Sequence, residues 1–186
     1  MGKIEDLASL YERHMGVPWQ RTIAGAQRVV IVVYDKELER VFRARKGEFE
    51  QRTRTTGHEW VEFDCTCCFA EWMAADEYCE AYFEYPDDLS LKLESEFTEY
   101  VAASLRELLR SCDKNTVVAV TGVASLYGFT RLSDLVRAVE PDIQGRLVVF
   151  FPGTKDGNNY RLLDARDGWN YLAYNITLHG SGGASL

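Results

Sequence analysis

The sequence lacks a long hydrophobic run, and this absence excludes a membrane-spanning helix of ordinary length. Apolar residues make up 46% of the 186 residues, but no run approaches the roughly 18 residues that a span requires. The N-terminal segment, MGKIEDLASLYERH, mixes acidic and basic residues and has neither the cationic start nor the apolar centre of a secretory signal. We therefore expect a cytoplasmic protein without membrane association.

The sequence also lacks an excess of positive charge. It has 29 acidic against 21 basic residues, a net charge of −8, which opposes sequence-independent binding to nucleic acid because phosphate contacts supply most of that affinity. One local exception is the segment from residue 40 to 54, for which we favour a solvated helix face and its following loop. A docking patch for phosphate, nucleic acid or an acidic partner is the alternative. Its cations are Arg40, Arg43, Arg45, Lys46, Arg52 and Arg54.

Complete nucleotide-binding motifs are missing. A phosphate loop, GxxxxGK[ST], would follow the first strand of a nucleotide-hydrolysing enzyme, but Val29–Tyr34 is followed by DKEL. The two glycines of the segment 121–128 match neither that loop nor the GxGxxG turn, so we favour a simple turn. A degenerate nucleotide-binding domain, with Thr121, Asp35 and Asp64 at strand ends, is the alternative function.

Metal-ligand and nucleophile patterns are weak. Five cysteines, an odd number in a chain without an export signal, make a disulfide framework unexpected. We interpret Cys65, Cys67 and Cys68 as small buried or half-buried side chains at a strand-to-helix junction, with a zinc cluster or a reactive thiol as alternatives. The three histidines do not stand at ligand spacing, and none lies beside a nucleophile motif. We expect no metal, no cofactor and no catalytic residue.

Three aspartates offer a carboxylate alternative. Asp35, Asp64 and Asp164 follow or accompany strand ends, where convergent carboxylates bind Mg²⁺. Aspartate at such positions also caps the following helix or turn, and we favour that role.

Apolar runs that alternate with helical segments predict an α/β fold. The strongest helix extends from Leu89 to Leu109, where apolar residues recur every three or four positions. We predict one domain over residues 1–179, with a mostly parallel central sheet of about five strands flanked by helices, and a flexible tail over residues 180–186. The expected arrangement is three-layered, Rossmann-like or P-loop-like, without a Walker A loop. The predicted strands begin at Val29, Trp60, Thr116, Leu147 and Tyr171, with a further extended element near Tyr160.

The most informative segment is the last third of the chain. A buried strand, RLVVFFPG from residue 146, leads into NNYRLLDARDGWNYL from residue 158. Such a strand delivers polar groups to a sheet edge, where α/β folds place their sites, and arginine and aromatic residues are enriched at the centres of protein interfaces. We predict either a partner-binding surface or a pinned irregular loop here. The candidate residues are Asn158, Asn159, Arg161, Arg166, Asp167, Trp169 and Tyr171.

Four blocks give the chain a family resemblance. They are FDCT from residue 63, FAEWM from residue 69, VTGVASLYGFTRLSDLV from residue 120, and the C-terminal RLVVFFPG and NNYRLLDARDGWNYL. In these blocks the chain resembles the BrxB family of bacterial BREX (bacteriophage exclusion) systems, from about Arg28 to Ile176. The cysteine pair Cys67–Cys68 departs from the resemblance.

The resemblance implies a role in defence against phage. It places the chain beside a DNA methyltransferase, a large ATPase and PglZ, which has an alkaline-phosphatase-like domain. It assigns no catalytic activity and suggests PglZ as the first partner. We therefore expect a non-catalytic adaptor that binds PglZ or another BREX subunit.

Overall fold

A seven-stranded sheet forms the centre of the molecule in the computed structural model, which describes residues 2–20, 22–165 and 168–178. The long β-branched runs of the sequence lie in its strands, since such side chains pack well on a pleated, buried surface. The strands are β1 (Val29–Tyr34), β2 (Glu59–Asp64), β3 (Thr116–Thr121), β4 (Arg146–Asp156), β5 (Asn159–Leu162), β6 (Trp169–Asn170) and β7 (Tyr174–Ile176).

Helices connect the strands and cover both faces of the sheet. A π-helical segment, Leu93–Phe97, lies between α5 and α6, inside the region for which the sequence predicts one continuous helix. The helices are α1 (Lys3–Met15), α2 (Glu39–Thr55), α3 (Cys68–Ala74), α4 (Cys79–Glu84), α5 (Ser90–Lys92), α6 (Thr98–Ser111) and α7 (Leu132–Val139). Short 3₁₀ turns cover Gly25–Arg28, Lys36–Leu38, Pro86–Leu89, Val123–Leu126 and Glu140–Asp142.

Five strands form a parallel path in the order β2-β3-β4-β1-β7. The far end of β4 continues beyond this path and pairs antiparallel with β5, which in turn pairs antiparallel with β6. The predicted α/β class is thus confirmed, while the sheet as a whole is mixed. Sequence patterns missed the extension because β4 reads as one short strand that ends at Pro-Gly.

Each face of the sheet has its own core. Successive side chains of β1 point alternately into the two cores. Val30 and Val32 pack toward α1 and α2. Val29, Ile31 and Val33 pack toward α6 and α7. Each such side chain contributes roughly 1.5–3 kcal/mol when fully buried. This accounts for the unbroken apolar sequence of β1, which is buried along its whole length.

Aromatic rings fill the core beneath α1 and α2. Phe150 of β4 lies 4.8 Å from Phe42, 4.9 Å from Phe49 and 6.4 Å from Tyr11, measured between ring centroids. These pairs are stacked, edge-to-face and tilted, respectively, and aromatic pairs at such distances are favourable beyond their buried area. The core on the opposite face extends to the C-terminal block, by which we mean the segment NNYRLLDARDGWNYL from residue 158.

No helix within the described ranges is long and apolar enough to cross a membrane. The predicted tail, residues 180–186, lies outside the described residues.

Candidate partner-binding site

The candidate site forms where the C-terminal part of strand β4 extends beyond the parallel sheet. Its first part, up to Phe151, is buried, and its last part pairs with β5 through Gly153↔Leu162 to Asp156↔Asn159. The strands approach closely at Gly153, where a Cβ atom would come within 2.8 Å of the Phe151 ring and would collide with the Arg161 carbonyl. Gly157, with φ +56°, closes the hairpin turn.

Four aromatic rings hold the hairpin on the sheet. The Tyr160 ring stacks on Trp169 at 5.0 Å, and both rings contact Phe151, at 5.9 Å and 6.2 Å. Tyr171 lies 5.8 Å from Trp169. Burial raises the pKa of Tyr160 to about 12, so this hydroxyl stays protonated at neutral pH. The cluster thus packs Tyr160 and Trp169 against β4.

The predicted site residues fall into two groups. Asn158 and Arg161 are exposed, Trp169 and Asn159 are half-buried, and Tyr171 is only 6% exposed. The Asn159 amide packs on Gly168, where a Cβ atom would come within 2.5 Å of its nitrogen. Asn158 and Arg161 therefore face solvent, whereas the other three side chains support the block.

Two of the candidates, Arg166 and Asp167, lie outside the described residues.

A surface cleft of about 610 Å³ lies between this block and α7. Trp169 and Asn170 form one wall, and Arg131, Asp134 and Arg137 form the other, with Tyr127 at the rim. Tyr127 is 48% exposed. A guanidinium N–H of Arg137 donates a 3.2 Å hydrogen bond to the Asn170 carbonyl and so connects the two walls. The cleft combines aromatic faces, two cations and a carboxylate.

A second cleft, of about 650 Å³, continues from the first. It shares Gly128, Thr130, Arg131 and Asp134 and reaches Ser90 and Glu94 at the start of the long helical segment. A partner segment longer than a few residues therefore has a continuous path from β6 to α5.

Sequence reasoning missed the α7 wall. The signal that would have found it is the three-residue spacing of Arg131, Asp134 and Arg137, which alternate with residues buried against the sheet.

The positions of Asp35, Asp64 and Asp164 do not support the alternative of a shared Mg²⁺ site. Asp35 pairs with Lys3 at 3.0 Å, Asp164 pairs with Lys36, and Asp64 accepts hydrogen bonds from Thr66. Within the described ranges no three histidine, cysteine or carboxylate side chains are grouped to hold a metal ion. Each aspartate thus has a local partner of its own.

The turn after β3 does not resemble a phosphate cradle. Gly122 has φ +67°, and a Cβ atom there would lie 2.5 Å from Asp64 Oδ1. Thr121 donates a 2.7 Å hydrogen bond to Glu62, which also accepts one from Lys46 at 2.5 Å. The space above the turn is filled by Thr66 and Asp64, and the adjacent carboxylates would repel phosphate.

One comparison with known proteins gives a match. The family model described as "BREX protein BrxB" matches residues 71–176, which is more than half of the chain. The chain belongs to the BrxB family. A search of curated proteins found no match, and a search of solved structures likewise found none. The region shared with the BrxB model, residues 71–176, contains both clefts and the whole C-terminal block.

Three of the five cysteines of this BrxB-family chain lie at the predicted junction, where β2 leads into α3. Cys65 and Cys68 are buried, as predicted, but Cys67 is exposed, so the prediction of a buried or half-buried side chain is wrong for Cys67. Sequence reasoning overlooked that Cys65 and Cys68 stand at C-x-x-C spacing. Their turn is closed by a 3.3 Å hydrogen bond from the Cys68 amide to the Cys65 carbonyl. Hydrogen bonding to Cys68, together with burial, raises the pKa of Cys65.

Carboxylates neutralise most of the basic segment on α2 in this BrxB-family structure. Five of its six cations form ion pairs, which leaves little of the segment available to phosphate. The pairs are Arg43 with Glu39, Arg45 with Glu5 and Glu48, Lys46 with Glu62, Arg52 with Glu12, and Arg54 with Glu50 and Glu59.

Proposed function

We propose that this protein is a non-catalytic adaptor of a BREX phage-defence complex. Its family membership indicates a BREX component. We further propose that PglZ, or another BREX subunit, binds across the cleft between α7 and the C-terminal block, and that the protein works in the cytoplasm.

The observation that carries this proposal is the composition of the cleft. Arginine, tyrosine and tryptophan dominate the energetic centres of protein interfaces, and Arg131, Arg137, Tyr127 and Trp169 surround this cleft. The ring cluster around Tyr160 fixes the tryptophan wall before any partner arrives, which lowers the ordering cost of binding. Arg161 and Asn158 extend the surface along the exposed side of the hairpin.

Local pairing of polar groups at the carboxyl edge supports an adaptor over an enzyme. Glu62 is bonded to Thr121 and Lys46, and Asp64 is bonded to Thr66. Burial acts to raise the pKa of Asp64, but the hydrogen bonds from Thr66 and the charges of Lys46 and Arg43 lower it overall. A carboxylate with a lowered pKa is a weak base and holds no proton to donate near neutral pH, so it suits neither general-base nor general-acid catalysis there.

The test is co-purification of the tagged chain with separately expressed BREX subunits, followed by sizing of each complex. We expect a stoichiometric complex with PglZ at micromolar concentration. Failure of every subunit to associate at that concentration would reject the adaptor role.

Variants of the cleft locate the surface. Arg131→Glu and Arg137→Glu should each weaken the complex at least tenfold, since anchors of this type contribute about 2 kcal/mol or more. The matched control is Arg40→Glu, because Arg40 is also an exposed helical arginine but lies on α2. If all three variants bind alike, the partner uses another surface.

A further inference from the structure

A second surface of the molecule has unusual exposure. The 23 residues from Ala74 to Glu96 contain no buried side chain, although they include α4, a 3₁₀ turn and α5. We call residues 74–96 the acidic lobe. Helical segments in proteins owe most of their stability to an apolar face packed on a neighbour. In this lobe Leu93 alone packs on the main core, and it is only partly buried.

Large apolar side chains are nevertheless present in the lobe and point to solvent. Tyr78 is 58% exposed, Phe83 75%, Tyr85 64% and Leu91 82%. These are four of the eight large hydrophobic residues that are exposed in the described structure. Such a concentration in one segment marks an interaction surface, whereas single exposed apolar residues carry no meaning.

One lysine brings the two ends of the lobe together. Lys92 Nζ lies 2.9 Å from Asp76 Oδ2 and 5.4 Å from the centre of the Tyr82 ring. Tyr78, Phe83 and Leu91 are sequence neighbours of these three residues, so the closure gathers them in one region. Hydrogen bonding to Tyr82 and Asp76 raises the pKa of Lys92, which keeps the closing cation charged.

The lobe carries nearly all of the net charge of the chain. It has eight acidic residues and one basic residue, which gives −7 of the total −8. Asp76 and Glu96 pair with Lys92, and the other six form no ion pair in the described structure. They are Glu77, Glu80, Glu84, Asp87, Asp88 and Glu94. This contrasts with the basic face of α2, where the charges are paired internally.

We infer that the acidic lobe is a docking surface for a basic, amphipathic polypeptide segment of a partner protein. Its charges complement lysine and arginine, and its exposed rings and Leu91 receive an apolar face. The same charges repel nucleic acid and anionic lipid surfaces, which leaves a polypeptide as the occupant. The lobe borders the second cleft at Ser90, Leu93 and Glu94. Its exposed rings and Leu91 lie outside the lining of both clefts, so the two surfaces offer different binding chemistry.

The test uses two synthetic 18-residue peptides of the same lysine and leucine composition. One places its leucines on one face of a helix, and the other distributes them around the helix. Fluorescence anisotropy at fixed moderate salt measures the affinity of the full-length protein for each. We expect the amphipathic peptide to bind at least tenfold more tightly than the permuted one, and its affinity to fall as salt rises.

Two sets of variants separate the apolar and charged contributions. The double variant Phe83→Ser, Leu91→Ser should bind the amphipathic peptide only as tightly as it binds the permuted peptide. Glu80→Lys with Glu84→Lys keeps every apolar side chain and should abolish binding of both peptides. Leu172→Ser, at a leucine that is 60% exposed outside the lobe, is the matched control and should bind like the unaltered protein.

Equal affinity for both peptides, or no loss in the Phe83→Ser, Leu91→Ser protein, would overturn the inference. All substituted side chains are exposed, so each variant should fold, which circular dichroism and thermal unfolding will establish. Arg137→Glu should bind the peptides normally, so a failure of the lobe and a failure of the cleft are distinguishable.

Discussion

The hydroxyl of Tyr171 donates a 2.6 Å hydrogen bond to Glu140, the residue that follows α7. The Tyr171 amide also donates to the Asn158 carbonyl, at 3.3 Å. One buried tyrosine thereby connects the hairpin turn, the C-terminal block and the end of α7, and it fixes the distance between the two walls of the cleft.

Removal of this hydroxyl should weaken that connection. We expect Tyr171→Phe to lower the free energy of unfolding by about 1–2 kcal/mol, because a charged acceptor loses its donor. Urea unfolding at pH 7 measures the change. Tyr127→Phe is the control, since Tyr127 is 48% exposed and its hydroxyl has no hydrogen-bond partner in the described structure; equal losses in the two proteins would contradict the role of Tyr171.

The stability of the protein should depend on pH through His14. Burial, and to a lesser extent the charge of Arg146, lowers the pKa of His14 to about 4 from 6.5. Between pH 4 and pH 6.5 the unfolded chain binds more protons at His14 than the folded chain does. The contribution of neutral His14 to the free energy of unfolding is therefore fully present above pH 6.5 and is lost as the pH falls toward 4. After allowance for partial exposure, the loss is about 2 kcal/mol.

The His14→Phe substitution keeps a ring against Tyr174, on which His14 stacks at 3.7 Å, and should flatten this pH dependence. Urea midpoints measured from pH 7.5 to pH 4.5 give the slope. A steep slope in His14→Phe would assign the effect to other groups.

Substitution of Gly122 should be more damaging than substitution of another glycine with positive φ. Gly122→Ala forces a Cβ atom against Asp64 and Thr66, whereas Gly157→Ala, at φ +56°, meets no atom within 4 Å. We expect a loss of about 1 kcal/mol from backbone conformation at Gly157, and about 2–4 kcal/mol at Gly122 where crowding is added. Thermal or urea unfolding of the two variants compares them, and equal losses would show that the turn relaxes.

The five thiols should react at different rates with a soluble thiol reagent. Cys67 is exposed and should react first, while Cys65 and Cys68 are buried and should react only when the chain unfolds. Cys67→Ser should remove the fastest phase, and Cys79→Ser should leave it intact. Fast modification of Cys65 in the native protein would contradict its burial and would show that the turn from Cys65 to Cys68 opens to solvent.

Sequence patterns predicted the parts of this fold that depend on local periodicity. The β-branched run of β1 and the three- and four-residue spacing along α6 both appear in the structure. The hairpin of β4 and β5 was not predicted, because a strand that leaves a parallel sheet and pairs antiparallel has the same local pattern as one that ends there. The ion pairs that α2 makes with Glu5, Glu12 and Glu62 were also not predictable, since these three carboxylates come from other elements.

For the site, the sequence pointed to the C-terminal block, but it did not indicate which side chains of the block are buried and which line the cleft. Tyr171 and Trp169 look alike in the sequence as aromatic residues beside charges, yet Tyr171 is buried and Trp169 lines the cleft. The opposite wall, formed by Arg131 and Arg137, comes from α7 and the residue before it, more than thirty residues earlier in the chain. No local pattern indicates that two such segments face each other.

The continuity of β4 restricts which insertions and deletions the protein can accept during evolution. This strand of 11 residues is both the centre of the sheet and the first arm of the hairpin. Because side chains alternate between faces, gain or loss of a single residue within it would reverse the orientation of every later position. We therefore expect the length of β4 to be constrained, and the binding preference of the hairpin to change by substitution at its outward positions or by insertion at the Gly157 turn.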